Sequence, residues 1–281
     1  MSERTISKDQ LTAYRNQLLQ EERAASTVEK YLRDTGTFAV WLGSENLTKE
    51  AVVCWKNQLL ADGLSPATVN AKLAALNGLL AFLGMEQCRA KFLKLQRRTF
   101  RNADRDLTQE EYRHLLAAAH RSDRPQTALL LETICATGIR VSEVRYITVE
   151  TVRRGRAEVS LKGKIRTILL PVKLCRKLRQ YAQKQKITSG AIFRTGCGTP
   201  LTRFQIWRAM KLLCREAKVA PSKVFPHNLR HLFAATFYRA TRDIVKLADV
   251  LGHSSINTTR CYLLSTGSEH ARQLNLLGLI S

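Results

Sequence analysis

Apolar residues in the first eighty positions recur at three- and four-residue steps, the period of helices with one buried face. Leu11, Tyr14, Leu18 and Leu19 predict a first amphipathic helix. Ser26-Thr27 predicts the cap of a second, whose stripe Val28, Tyr31, Leu32, Thr35, Phe38, Ala39 and Leu42 ends at Gly43. Thr48 opens a third through Val52, Val53, Trp55 and Leu59, which closes near Gly63. Ser65-Pro66 opens a fourth through Val69, Leu73, Leu76 and Leu80, since the first helical position tolerates a residue without an N–H. Residues 1–84 therefore read as a small all-α domain.

From about Gly84 to Arg105 the periodicity fades. The run C-R-A-K-F-L-K-L-Q-R-R-T-F-R-N-A-D-R mixes basic residues with a few aromatics, and residues 85–105 read as a basic interdomain linker. Lys94, Arg97, Arg98 and Arg101 are its candidate phosphate contacts. The pattern restarts at Leu107. Thr108, with Glu111 three residues on, predicts a capping box before a helix with the apolar face Tyr112, Leu115, Leu116 and Ala119. Thr127 to Ala136 is almost wholly apolar, which predicts a buried helix ending at Thr137-Gly138. Short strands are expected at 157–161 and 165–170 across a turn at Lys162-Gly163-Lys164, with a third at 146–149. Helices resume at 171–186 and 203–217, separated by a strand and loop in A-I-F-R-T-G-C-G-T-P-L. The fold class is mainly α with a small antiparallel β-sheet: an all-α N-terminal domain, then an α+β domain over 106–281 with an amphipathic tail at 268–281.

Charge changes this picture most. Among 281 residues, 46 Lys+Arg stand against 23 Asp+Glu, a net charge of +23, and the pI is near 10.2. Such a surface repels itself unless it meets a polyanion, and nucleic acid fits that role. Most of the excess falls after residue 100. Seven scattered cysteines form no C-x-x-C pair and fit reduced, mostly buried thiols. Neither a signal-peptide pattern nor an apolar run long enough to span a bilayer is evident, so the expected compartment is cytoplasmic, with no membrane association.

The candidate chemistry gathers in Pro226 to Leu264. His227 and Arg230 lie one helical turn apart. A stripe of Ile244, Leu247, Ala248 and Leu251 then stops at Gly252, His253 follows directly, and Tyr262 lies nine residues on. Imidazoles, a guanidinium and a phenol at such turns suit a phosphate-like anion and a nucleophile. Arg140, set just after a buried helix, adds a second guanidinium whose plane Glu143 could fix. A hairpin turn carrying Lys162 and Lys164, with Arg166 beyond, adds mobile positive charge. No ligand spacing suits a metal, and no G-x-x-x-x-G-K-[ST] loop suits ATP. No cofactor is expected.

The order and wording of these segments resemble the tyrosine recombinase (phage integrase, Xer-like) family. A-T-G-I-R-V-S-E-V around Arg140 is similar to its first arginine motif, H-N-L-R-H at 227–231 to its His-x-x-Arg motif, and L-G-H-S-S-I-N-T-T-R-C-Y to its histidine-plus-nucleophile segment. K-G-K-I-R-T-I-L-L-P resembles the hairpin bearing the family lysine, and T-V-E-K-Y-L-R-D with S-P-A-T-V-N-A-K-L resembles the core-DNA-binding domain. The resemblance implies a metal- and ATP-independent site-specific recombinase that cuts and rejoins duplex DNA through a 3′-phosphotyrosyl intermediate. Tyr262 would be the nucleophile, and Arg140 and Arg230 would clamp the non-bridging oxygens. His253 would donate to such an oxygen, His227 would bond the phosphate or accept the phenol proton, and Lys162 would be the general acid. His231 is read as structural. Leu161-Lys162-Gly163 departs from the family's Gly-Lys-Gly wording, so Lys164 remains a rival acid; Lys164 and Arg166 are otherwise read as DNA contacts.

The resemblance also implies a double-stranded DNA partner with a specific site and a homotetramer on DNA, the tail docking in cis or in trans. Integration or excision of a mobile element is the expected role. Xer-type replicon dimer resolution, a type IB topoisomerase and a non-catalytic DNA-binding regulator are the alternatives.

Overall fold

The computed structural model describes residues 6–95, 105–161, 164–260, 262 and 275–276. The chain divides into two compact units, Met1–Arg97 and Arg98–Ser281.

The first unit holds four helices, α1 (Lys8–Gln20), α2 (Ala25–Leu42), α3 (Lys49–Ala61) and α4 (Pro66–Phe82). Ser7, Thr48 and Ser65 cap α1, α3 and α4 through side-chain oxygens that accept otherwise orphaned backbone N–H groups. The sequence expectation fails at α2, which starts at Ala25 after Ala24, with Ser26 and Thr27 already inside it and no side-chain cap. Its stability comes instead from packing: Phe38 and Leu42 join Trp55, Leu73, Leu76 and Leu80 in one core. Leu19, assigned to the apolar face of α1, lies 46% exposed, while Tyr14 and Leu18 are buried on that face with Leu11 packed beside them.

The expected linker also differs. Residues 85–93 dock onto the first unit, with Met85, Cys88 and Ala90 buried in its core. Asn77 bonds Ala90 through both N–H and C=O, and Asn70 does the same for Leu93. Two amides on one face of α4 supply the backbone partners that a structureless connector would take from water.

The second unit opens with α5 (Gln109–Arg121), started by the Thr108–Glu111 capping box, and α6 (Pro125–Thr137), which ends on a left-handed Gly138. Leu130, Leu131 and Ile134 of α6 are fully buried, so α6 is the axis of this core. A 3-10 turn at Val141–Tyr146 leads to α7 (Val149–Arg154) and the antiparallel pair β1 (Arg156–Leu161) and β2 (Lys164–Leu169). The register runs from Arg156 opposite Leu169 to Leu161 opposite Lys164. The third strand expected at 146–149 does not form: Thr148 makes one isolated bridge to Ala191 and caps α7, because its hydroxyl takes the Thr151 N–H. The strand expected after Gly190 is likewise reduced to isolated bridges.

Then follow α8 (Val172–Lys184), α9 (Arg203–Lys211), α10 (Cys214–Ala217), α11 (Pro226–Thr241), α12 (Ile244–Leu251) and α13 (Ile256–Arg260). The single helix expected over 203–217 breaks between α9 and α10. Packing of α11 on α6 and of α12 on α11 sets the ends of these helices beside Arg140. The thiols of the described residues are free, with Cys88, Cys175 and Cys214 buried but Cys54 and Cys197 exposed. Among the described residues no helix is long and apolar enough to cross a membrane. The tail expected at 268–281 lies outside the described residues apart from 275–276.

Candidate active site

The site is built where three helix ends meet. At the end of α6, Gly138 adopts φ +61°, and a Cβ there would lie 2.4 Å from the Phe233 ring. Glycine is therefore required twice, by conformation and by space. The chain turns and presents Arg140. Buried Glu143 takes the Arg140 N–H on Oε2 (2.8 Å) and the Arg140 Nη1–H on Oε1 (2.9 Å). The guanidinium plane is fixed while its side chain stays 40% exposed.

Arg230, on the second turn of α11, is only 3% exposed. It donates through Nη1 to Gly138 O and through Nη2 to Leu251 O (2.8 Å) and His253 Nε2 (2.9 Å). Burial lowers its pKa, and the hydrogen bond that it donates to the Tyr262 oxygen opposes that shift.

Helix α12 is capped at its start by Asp243 and ends at left-handed Gly252. That end carries the negative pole of the helix and its unfilled carbonyls. Three consecutive carbonyls there each accept from a different arginine: Val250 O from Arg166 (3.0 Å), Leu251 O from Arg230 (2.8 Å) and Gly252 O from Arg140 (3.3 Å). Two of these guanidiniums, Arg140 and Arg166, also bond the buried Glu143 carboxylate, and the remaining charge is held by dipoles. Such a pocket binds an anion readily.

A guanidinium only donates, so His253 Nε2 accepts from Arg230. The ring proton is then on Nδ1, donated to Thr259 Oγ1 (2.9 Å). Burial first, and then Arg230, Arg140 and Arg166, push the His253 pKa down to about 4, so the ring is neutral near pH 7. In the unliganded protein His253 Nε2 is thus an acceptor, with its ring proton on Nδ1.

Tyr262 is 8% exposed. Its ring lies 5.7 Å from that of His253, 5.6 Å from His227 and 5.2 Å from His231, and it packs with Ala234, Leu247 and Leu251. Five predicted residues, Arg140, Arg230, His227, His253 and Tyr262, are thus brought together, with His227 exposed at the first turn of α11. His231, read as structural, faces the same phenol.

Arg166 departs from its reading as a DNA contact. Its side chain is 11% exposed, its Nη1 bonds both Glu143 oxygens (3.3 Å each), and its stem packs against Gly252. The alternation along β2 carries the signal, for Arg166 shares its parity with buried Ile168 and Leu170, whereas Leu169 points to solvent. Lys164 lies in β2 rather than in the turn, paired with Leu161. Lys94 is exposed in the first unit. Lys162, Arg97, Arg98 and Arg101 lie outside the described residues. Thr259 and the three carbonyls of α12 were missed, because carbonyls carry no side-chain signature. Among the described residues no group of three or more His, Cys, Asp or Glu could hold a metal ion.

Comparison with known proteins gives consistent matches. A model described as the phage integrase family matches residues 105–269, and one for the phage integrase N-terminal SAM-like domain matches residues 1–87. Tyrosine recombinase XerA of Pyrococcus furiosus is 30% identical over 183 residues, 62% of this chain and 63% of that protein. XerD of Vibrio cholerae is 28% identical over 221 residues, 72% of each. Tyrosine recombinase XerH of Campylobacter jejuni is 30% identical over 166 residues, and the matches cover 63% of the XerA length and 47% of the XerH length, less than two thirds of either. Among solved structures, a lambda integrase (75–356) dimer bound to a COC′ core site aligns with TM-score 0.72 at 16% identity, over 91% of this chain and 94% of that one. XerH bound to difH substrate in a pre-cleavage complex aligns with TM-score 0.67 at 19% identity, over 97% and 90%. At such identities the likeness is one of fold.

Proposed function

The chain belongs to the phage integrase family of tyrosine recombinases, and on that premise we propose that it is a site-specific recombinase cutting and rejoining duplex DNA through Tyr262. One observation carries this reading: an excess of guanidinium charge, from half-exposed Arg140 and from buried Arg230 and Arg166, with Glu143 as its carboxylate, lies beside the Tyr262 phenol. A phosphodiester is the anion that completes it.

Arg140, the more exposed guanidinium, takes one non-bridging oxygen with the hydrogens that Glu143 and Gly252 leave open. Arg230 forms the floor and takes the other. Preorganised donors of this kind stabilise the charge that grows on a pentacoordinate phosphorus, and loss of one costs on the order of 100-fold or more in rate. The Tyr262 oxygen attacks phosphorus, the bond to the 5′ oxygen breaks, and a 3′-phosphotyrosyl ester forms. His227 receives the phenol proton; Lys162, or Lys164, gives one to the leaving oxygen. A 5′ hydroxyl reverses the steps and seals the strand, so no external energy source is consumed.

Under this reading the helical first unit and the basic run with Lys94, Arg97, Arg98 and Arg101 hold the duplex, and four copies assemble on paired sites. We read the role as integration and excision of a mobile element. Relatives named XerA and XerD lend weight to a second reading, resolution of replicon dimers.

The test is a nicked suicide duplex that traps the covalent intermediate. Tyr262→Phe is expected to bind that duplex and form no adduct. An adduct formed by this variant at the wild-type rate refutes the assignment.

A further inference from the structure

We infer that Arg166 is a positioning residue of this reaction, tying the β1–β2 hairpin to the phosphate-binding guanidinium of Arg140 and to the turn that carries His253. The inference rests on the recombinase reading above and adds to it a residue without phosphate contact.

Three observations converge. Arg166 Nη1 sits on both oxygens of Glu143, the carboxylate whose Oε1 also holds Arg140 Nη1. Its Nη2 reaches Val250 O, the first of three successive carbonyls whose other two hold Arg230 and Arg140. Its stem fills the space over Gly252, where an added Cβ would lie 2.2 Å from Arg166 Cδ. Among the described residues its buried Nε makes no hydrogen bond, so these two attachments fix the side chain.

The consequence is mechanical. Glu143 is pinned between two guanidiniums on one side and the Arg140 N–H on the other, so Arg140 is restrained at both ends. Without Arg166, Glu143 gains room to turn and Arg140 follows it. A guanidinium misplaced by about 1 Å from a phosphate oxygen costs on the order of 100-fold in rate. Arg166 itself never reaches the phosphate, so DNA affinity should stay unchanged. Lysine is not an equivalent, because it reaches Glu143 or Val250 O and not both.

The experiment compares wild type, Arg166→Met and Arg166→Lys on the nicked suicide duplex in single-turnover cleavage, with affinity measured separately. Three substrates are used: the natural phosphate; a methylphosphonate, in which a neutral methyl replaces one non-bridging oxygen; and a 5′-bridging thiolate, whose leaving group needs no proton. Wild type forming no adduct on the natural substrate defeats the recombinase reading itself. Given that adduct, Arg166→Met is expected to cleave on the order of 100-fold more slowly at unchanged affinity, with Arg166→Lys recovering only part of the loss. On the methylphosphonate, which asks less of Arg140, the gap should narrow. A gap of equal size on phosphate and methylphosphonate overturns the proposal. So does a gap that closes on the thiolate, which would assign the loss to the hairpin's acid. If Arg166→Met loses its cooperative melt, the same comparison on Arg166→Lys decides.

Discussion

Among the described residues each unit buries one carboxylate among cations, and the two arrangements differ in what holds the cations. In the first unit Asp34 of α2 meets Lys30 at 2.6 Å, Arg33 at 3.7 Å and Lys72 of α4 at 3.5 Å. In the second, Glu143 meets Arg140 at 2.9 Å and Arg166 at 3.3 Å. The Lys30 and Arg33 side chains are 39% and 72% exposed, so they can exchange the carboxylate for water at little cost. The guanidiniums around Glu143 instead spend their other nitrogens on the end of α12, and neither moves without breaking two attachments. A buried carboxylate thus balances charge in one place and fixes geometry in the other. Acceptors on the far side of the cations make the difference.

The largest effect that could break this contrast comes from neutralising the carboxylates in turn. Glu143→Gln keeps the shape and removes the charge that orients Arg140. Cleavage of the suicide duplex is expected to fall on the order of 100-fold with affinity retained. Asp34→Asn should leave cleavage per bound complex untouched. Near-wild-type cleavage by Glu143→Gln would erase the distinction and make Glu143 one more charge balancer.

A smaller effect is expected in stability. Lys72 links Asp34 across to α4, so Asp34→Asn leaves a half-buried ammonium without its partner. A cost of about 1–3 kcal/mol is expected, below the figure for a fully buried pair because two of the cations reach solvent. Denaturant unfolding followed through Trp41 and Trp55 would read it as a shifted midpoint with the slope preserved. An unchanged midpoint would mean that the Asp34 cluster is a surface ion pair in energetic terms.

Much of this was readable in the chain, and the misses share a cause. Helices with a stripe and a terminal glycine, such as α6 ending at Gly138 and α12 at Gly252, declare themselves, because a left-handed cap needs glycine. Helix α2 hid its start, since Ala24 offers no side-chain oxygen and packing alone fixes the boundary. Residues 146–149 satisfied strand propensity, but Thr148 and Thr151 bond each other's backbone and start α7 instead. At the site, Arg140, Arg230, His227, His253 and Tyr262 were visible as side chains of rare chemistry at helix-end spacings. Arg166 was misread because its charge outweighed its parity with Ile168 and Leu170. The carbonyls of Val250, Leu251 and Gly252 could not be seen, as every residue carries one and only tertiary packing selects these three.

Acid sharpens the contrast last and most gently. All six histidines lie in the second unit. His253 there has its pKa pushed from 6.5 to about 4, by burial first and then by Arg230, Arg140 and Arg166. The unfolded chain therefore takes this proton before the folded one does. Stability from the neutral ring is fully present above about pH 6.5, falls as pH drops toward 4, and changes no further below. The melting temperature of the second unit should decline across that window. His253→Gln, which cannot take the proton, should show a shallower decline, and equal slopes for the two proteins would contradict the assignment. DNA supplies the opposite perturbation. A phosphate among the three arginines offsets the charges that disfavour His253 protonation, so the bound protein should lose less stability over the same pH range.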